Sequence, residues 1–462
     1  MEIPFHEKFL LKKRVSMKSC PASLVGLSLC VVLIFSSLSC ENTPPVYNQL
    51  LDVIERTPFI DVHAHPVLGH RPYSDRDPYP TLEPLIGRSY WPIPERRIAV
   101  FDTFQPAALR EIYGYEKNDV GDADIPHLER LSKEMWEQGK KETFNRILDL
   151  SGIERVLANT GRPLEAADEK RVLWVPFVDG LFYPLDPSEM RSIDPGLKRA
   201  LKAYSAENAE LAREYGIRIK DLASHLGLIG CVLADYKKEK AVALKVASAY
   251  IRTLWFDPVE KAEAAALFAE GIDRKLRSWT DYKKVQDYLA RWIFLKAAEL
   301  DLPVHFHTGF GATATLRNQD SNPLNLESVF SDMRFKDTRF VMLHTGYPFG
   351  DKIKPMLEKR NVFVEFSAAN WMVFDDELAD ILFDWLSYPG AAEKIMFGSD
   401  AGAPVFFWIA AKNSRQALYK ALSRLIERKR IDEDKAVLIA KLIIRDNALR
   451  IHDLEEASPT PR

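Results

Sequence analysis

Seven side chains in this 462-residue sequence are of types, and at spacings, that could share one chemistry. In "FIDVHAHPV" His63 and His65 stand one residue apart, and alternate residues of a strand point the same way. "AVALKV" carries Lys245 among apolar neighbours, where an unpaired ammonium is costly to bury. "PVHFHTG" repeats the spacing with His305 and His307, "VMLHTG" supplies His344, and "IMFGSD" supplies Asp400. Neutral imidazole and carboxylate suit zinc, manganese or iron, zinc foremost. Such an ion lowers the pKa of a bound water toward neutrality. A carboxylate beside it can carry the proton to a leaving group, and a further histidine can polarise a carbonyl or phosphoryl oxygen. Each residue alone also has a plainer reading. Lys245 could snorkel, His305 and His344 could be hydrogen-bonded core histidines, and Asp400 could cap a turn. Together the plain readings need several coincidences, so a joint site for a divalent ion is expected.

These residues converge only if corresponding strand ends present them. Eight apolar, β-rich runs occur in order: "PFIDVH", "ERVLANTG", "RVLWVPFVDG", "AVALKV", "DLPVHFHTG", "TRFVMLHTG", "NVFVEFS" and "EKIMFGSD". Helical patterns such as "ETFNRILDLSG", "DYLARWIFLKAAEL", "DKIKPMLEKR" and "DELADILFDWLSY" alternate with them, and each run is expected to be separated from the next by a helix. The alternation predicts an α/β fold, a (β/α)8 TIM barrel of parallel strands. An open doubly wound sheet is the rival, but no glycine-rich phosphate loop follows any strand. Two long insertions, residues 66 to about 141 and about 186 to 240, leave strand C-terminal ends. They are expected to lie, largely helical, over the C-terminal face, where barrels place their chemistry. Arg317 and Asn322 after strand five, and Glu365, Ser367 and Asn370 after strand seven, could reach a substrate, with surface solvation equally open. His305 and, more weakly, Asp179 share that status.

Composition is that of an ordinary globular chain, 47% hydrophobic and 28% charged, with net charge −3. No long basic run occurs in the body, so no nucleic-acid partner is expected. The first forty residues differ. "KFLLKKRVSMKSC" is basic, and "SLVGLSLCVVLIFSSLSC" is apolar and ends on small residues, the layout of a secretory signal. An uncleaved anchor helix and a start at Met17 stay open. The expected organisation is a signal over 1–39, a linker over 40–57, a barrel over 58–456 and a tail over 457–462. Removing 1–39 takes away five Lys/Arg and two Glu, so the mature charge is −3 − (5 − 2) = −6. Of the four cysteines only Cys40 and Cys231 remain, and no internal disulfide is expected.

The motif set resembles the amidohydrolase superfamily, over roughly Phe59 to Leu454. "HFHTGFG", "LHTGYPF", "KIMFGSDA" and "RDNALRIHDL" are similar to its amidohydrolase-related branch, which includes nodulin-like domains fused to glutamine synthetase and relatives of aminocarboxymuconate-semialdehyde decarboxylases. The resemblance implies that His63, His65, Lys245, His307 and Asp400 hold one or two divalent ions. It makes Asp400 the proton shuttle as well. His344 would be a catalytic acid/base with one ion or a ligand with two, and Lys245 a bridging carboxylated lysine in two-metal members. Ala312 departs from an acidic residue common in the branch. "SLSC" resembles a bacterial lipobox, which implies lipid anchoring at Cys40 in the periplasm or cell envelope. The expected function is metal-dependent hydrolysis of an amide-like or ester-like bond in a small molecule. Non-oxidative decarboxylation and a non-catalytic binding lipoprotein are the rivals. Homo-oligomerisation is compatible with either.

Overall fold

The computed structural model describes residues 46–69, 99–118, 120–190, 195–311 and 316–455. The expected signal with Cys40, much of the first insertion, Ala312 and the tail lie outside these residues. Among the described residues no helix is long and apolar enough to cross a membrane.

All eight expected strands form: β1 Phe59–Ala64, β2 Ile153–Asn159, β3 Val172–Val175, β4 Leu244–Val246, β5 Val304–Phe306, β6 Phe340–Met342, β7 Val362–Glu365 and β8 Ile395–Met396. They pair in sequence order as two parallel ladders, β1-β2-β3 and β4 through β8. Hydrogen bonds bridge both seams. Lys245 N–H donates to Pro176 O at 2.8 Å and Val178 N–H to Lys245 O at 2.9 Å. At the other seam Val62 N–H reaches Phe397 O at 3.0 Å, and His63 O accepts from Ser399 and Asp400 N–H at 3.1 and 2.7 Å. The order is thus that of a closed (β/α)8 barrel. Strands β5, β6 and β7 are buried on both faces, which is why they read as apolar runs.

The principal helices are α1 Asn48–Arg56, α2 Ala99–Tyr113, α3 Ile125–Glu137, α4 Lys140–Ser151, α5 Pro195–Glu214, α6 Leu222–Lys238, α7 Lys261–Ile272, α8 Trp279–Glu299, α9 Asp375–Leu386, α10 Pro404–Glu427 and α11 Glu433–Lys441. Helix α1 falls inside the stretch read as a linker, and its Leu50 and Ile54 are buried. Helices α2 and α3 belong to the first insertion, α5 and α6 to the second.

Two helical expectations do not hold. No helix separates β2 from β3. Gly161 and Pro163 interrupt the chain there, and an Asp168 turn returns it, with Arg171 and Val172 N–H both on Asp168 O. "DKIKPMLEKR" is not one helix either. It forms two short turns, Gly350–Ile353 and Lys354–Glu358, because Pro355 lacks the N–H a continuous helix needs.

Candidate metal centre

Strand ends bring the predicted residues together. His63 lies in β1 and His65 just after it. Lys245 is in β4, His305 in β5 with His307 beyond, His344 follows β6, and Asp400 follows β8. Asp400 Oδ1 is 3.1 Å from His63 Nε2 and 3.4 Å from His65 Nε2, while Oδ2 is 3.9 Å from His344 Nδ1. The rings of His63 and His344 lie 4.9 Å apart and those of His307 and His344 4.6 Å. Donor atoms of His63, His344 and Asp400 all fall within 4.8 Å of one another. Both His344 and Asp400 sit at positive φ, 67° and 54°, a conformation retained where the surroundings over-determine it.

Electrostatics fits a cation. Burial pushes His63 down to about 3 and His307 and His344 well below the usual histidine value, so these imidazoles are neutral and offer lone pairs. Burial works against charge on Asp400 too, yet the neighbouring His344, His63 and His65 hold it well below the usual carboxylate range. Burial pushes Lys245 down to about 8, against the pull of Asp400, Glu365 and Asp179. Both ring nitrogens of His63, Nε2 of His307 and Nζ of Lys245 are buried without a hydrogen-bond partner. A protein leaves such atoms unpaired at a cost unless something else satisfies them. Nitrogen donors and one carboxylate with these orphaned atoms fit a divalent ion of the zinc, manganese or iron type.

The remaining candidates have other partners. His305 points away from the cluster to His452, its Nε2 2.8 Å from His452 Nε2, and His452 Nδ1 lies 3.0 Å from Ala448 O. Arg317 is exposed and pairs loosely with Asp320 at 3.6 Å. Asn322 accepts Leu324 N–H and caps a short turn. Glu365 and Ser367 are buried against His344, and Asn370 donates to Gly398 O at 2.8 Å. Asp179 accepts Ala247 N–H and the Ser248 hydroxyl at the start of the β4 loop. The glycines of the motifs have steric reasons. A Cβ on Gly309, at φ 70°, would meet Tyr347 O at 2.3 Å, and one on Gly398 would meet Glu365 Oε2 at 2.4 Å.

A cavity of about 960 Å³ opens from His65. Its walls include Trp136, Lys140, Asn159, Thr160 and Phe177, none foreseen from sequence. Phe177 stacks on His65 with ring centres 6.2 Å apart. Asn159 ends β2, is 2% exposed, and its Oδ1 has no partner. The polar end of "VLANTG" was its only sequence signal.

Residues 241–454 match the amidohydrolase family model. Protein fluG of Emericella nidulans is 26% identical over 184 residues, 38% of this chain and 21% of that protein. The match therefore spans about a fifth of that relative's length. Among solved structures, a Lactobacillus casei protein provisionally named a metal-dependent hydrolase shares the fold with TM-score 0.60 and 17% identity, covering 87% of this chain and 97% of that one. Uronate isomerase of Thermotoga maritima gives 0.63 and 12%, covering 88% and 97%. Glucuronate isomerase of Caulobacter crescentus gives 0.61 and 12%, covering 89% and 94%. These identities speak for the fold alone.

Proposed function

We propose that this chain, whose residues 241–454 match the amidohydrolase family model, is a metal-dependent hydrolase of that superfamily acting on an amide-like or ester-like bond of a small molecule. The observation that carries it is the convergence of orphaned buried nitrogens on His63, His307 and Lys245 around the Asp400 carboxylate. His63, His65, His307 and Asp400, with Lys245 beside them, would hold the ion. When bound, a divalent ion acidifies water and polarises the oxygen under attack. Asp400 takes the proton and delivers it to the leaving group. Oδ1 is the oxygen turned to His63 and His65, at 3.1 and 3.4 Å, and would share the ion with them, which leaves Oδ2 to move the proton. His344 is assigned no proton transfer, because both its ring nitrogens are hydrogen-bonded. The cavity beside His65 admits the substrate, with Asn159 and Thr160 in its wall.

Metal analysis of purified protein should find about one or two divalent ions per chain. A folded protein that takes up no metal would remove this reading. Asp400→Asn should lower turnover by about 10²-fold or more while leaving the fold, as loss of a general acid–base does. Assays on a panel of amides, esters and lactones should show it; wild-type-like turnover in the variant would discard the shuttle. Carboxylic acids and uronates, assayed beside that panel, separate this reading from other reactions. Carbon dioxide release from a carboxylic acid would favour decarboxylation, and interconversion of uronates would favour isomerisation. The layout of the first forty residues supports export with a lipid on Cys40. Mass spectrometry of the mature N-terminus tests it, and an unmodified cysteine would refute it.

A further inference from the structure

Beneath the cluster, a chain of four buried side chains leads from β7 to the orphaned nitrogen of His307. Glu365 accepts the backbone N–H of His344 on Oε1 at 2.8 Å and that of Ser367 on Oε2. An ionised carboxylate can only accept, and both of its oxygens already take a backbone N–H. The Ser367 hydroxyl, 2.6 Å from Glu365 Oε1, therefore donates to Glu365. Its lone pair faces His344 Nδ1 at 2.8 Å, so Nδ1 carries the hydrogen. A neutral imidazole has one N–H, which makes His344 Nε2 an acceptor. Its partner at 2.9 Å is His307 Nδ1, which must then carry its own hydrogen. That leaves His307 Nε2 with a free lone pair, and it is the atom without a partner. Each tautomer follows from the one before it, starting at a carboxylate buried behind the cluster.

We propose that Glu365 and Ser367 are positioning residues which, through His344, set His307 as an Nε2 metal ligand and keep His344 itself out of coordination, so that the centre takes one divalent ion. The proposal rests on the metal-dependent reading above and narrows it. His344 Nδ1 is near enough to Asp400 to be counted with the cluster, but its hydrogen points to Ser367. Partners behind metal-bound histidines commonly fix ring orientation and basicity in this way.

The test uses full-length protein labelled with ¹⁵N-histidine and loaded with zinc. Long-range ¹H–¹⁵N spectra report each tautomer, with His344→Gln and His307→Gln assigning the signals. Zinc content and chelator competition report number and affinity. Expected are one zinc per chain, the Nδ1–H tautomer at both His344 and His307, and, of these two rings, a zinc-induced shift at His307 Nε2 alone. Ser367→Ala should disturb both tautomers and weaken zinc binding about 10-fold or more. Ser367→Thr, which keeps the hydroxyl, should restore both. Two zinc ions per chain, an Nε2–H tautomer at His344, or unchanged tautomers and affinity in Ser367→Ala would overturn the relay. These results leave zinc-dependent function standing. A protein that binds no zinc would instead remove the metal-dependent reading and this one with it. If Ser367→Ala fails to fold, the wild-type tautomers and the threonine variant still decide.

Discussion

Gly398 shows how closely one residue can be specified by its neighbour's chemistry. A methyl group there would lie 2.4 Å from Glu365 Oε2, against the carboxylate that grips His344. Gly398→Ala must displace Glu365 and is expected to cost about 1–3 kcal/mol, as other overpacked sites do. Urea denaturation measures the loss, and a variant with wild-type stability and zinc affinity would show that Glu365 has room to move. At this scale the sequence was informative where chemistry is written along the chain. His63, His65, His307, His344 and Asp400 stand at strand ends that repeat a visible pattern. Glu365 and Ser367 were visible only as polar residues after a strand. Their partner is His344, more than twenty positions away, and no local spacing announces a bond across strands. Asn159 went unforeseen for the same reason, since its importance lies in an unpaired oxygen beside a cavity.

Helix α10 supplies the corresponding lesson for elements. Its Arg415 is buried and donates to the backbone oxygens of Ile54, Thr57 and Gly152, over the Phe59 ring at 4.5 Å. One side chain thus pins the C-terminal ends of α1 and α4 to the start of β1, where a cation also suits the helix ends. Arg415→Leu leaves those carbonyls without their donor and should lower stability by about 3 kcal/mol. A denaturation midpoint equal to wild type would mean that water replaces the guanidinium. Strands were legible because burial on both faces writes continuous apolar runs. The helices were less so. The crossover from β2 to β3 is held by Asp168 and Arg171 rather than by a helix, and the Arg415 anchor looks in sequence like any arginine of an amphipathic helix.

For the molecule as a whole, buried neutral histidines set an acid limit. Burial pushes His225 and His452 down to about 4, and each uses one ring nitrogen on a carbonyl, Leu181 O and Ala448 O. Their ordinary value is 6.5, so between about 6.5 and 4 the unfolded chain binds protons that the folded chain refuses. Stability therefore falls as pH falls through that window, by as much as about 1.4 kcal/mol per pH unit for each group, and is unaffected by them above it. Thermal melts from pH 7.5 to 4.5 should show the decline begin near 6.5; a flat profile down to 4.5 would mean these rings protonate without unfolding. The barrel order was legible from eight runs in sequence, whereas its seams were not, because they are a few hydrogen bonds between residues far apart in the chain. One of those seams bears on how the protein is made. The His63 carbonyl clasps Ser399 and Asp400, so the first and last pieces of the metal centre meet only where the ring shuts. A polypeptide still emerging from the ribosome carries every histidine of the centre long before it carries Asp400. The full set of donors is thus denied to any chain that stops before Asp400.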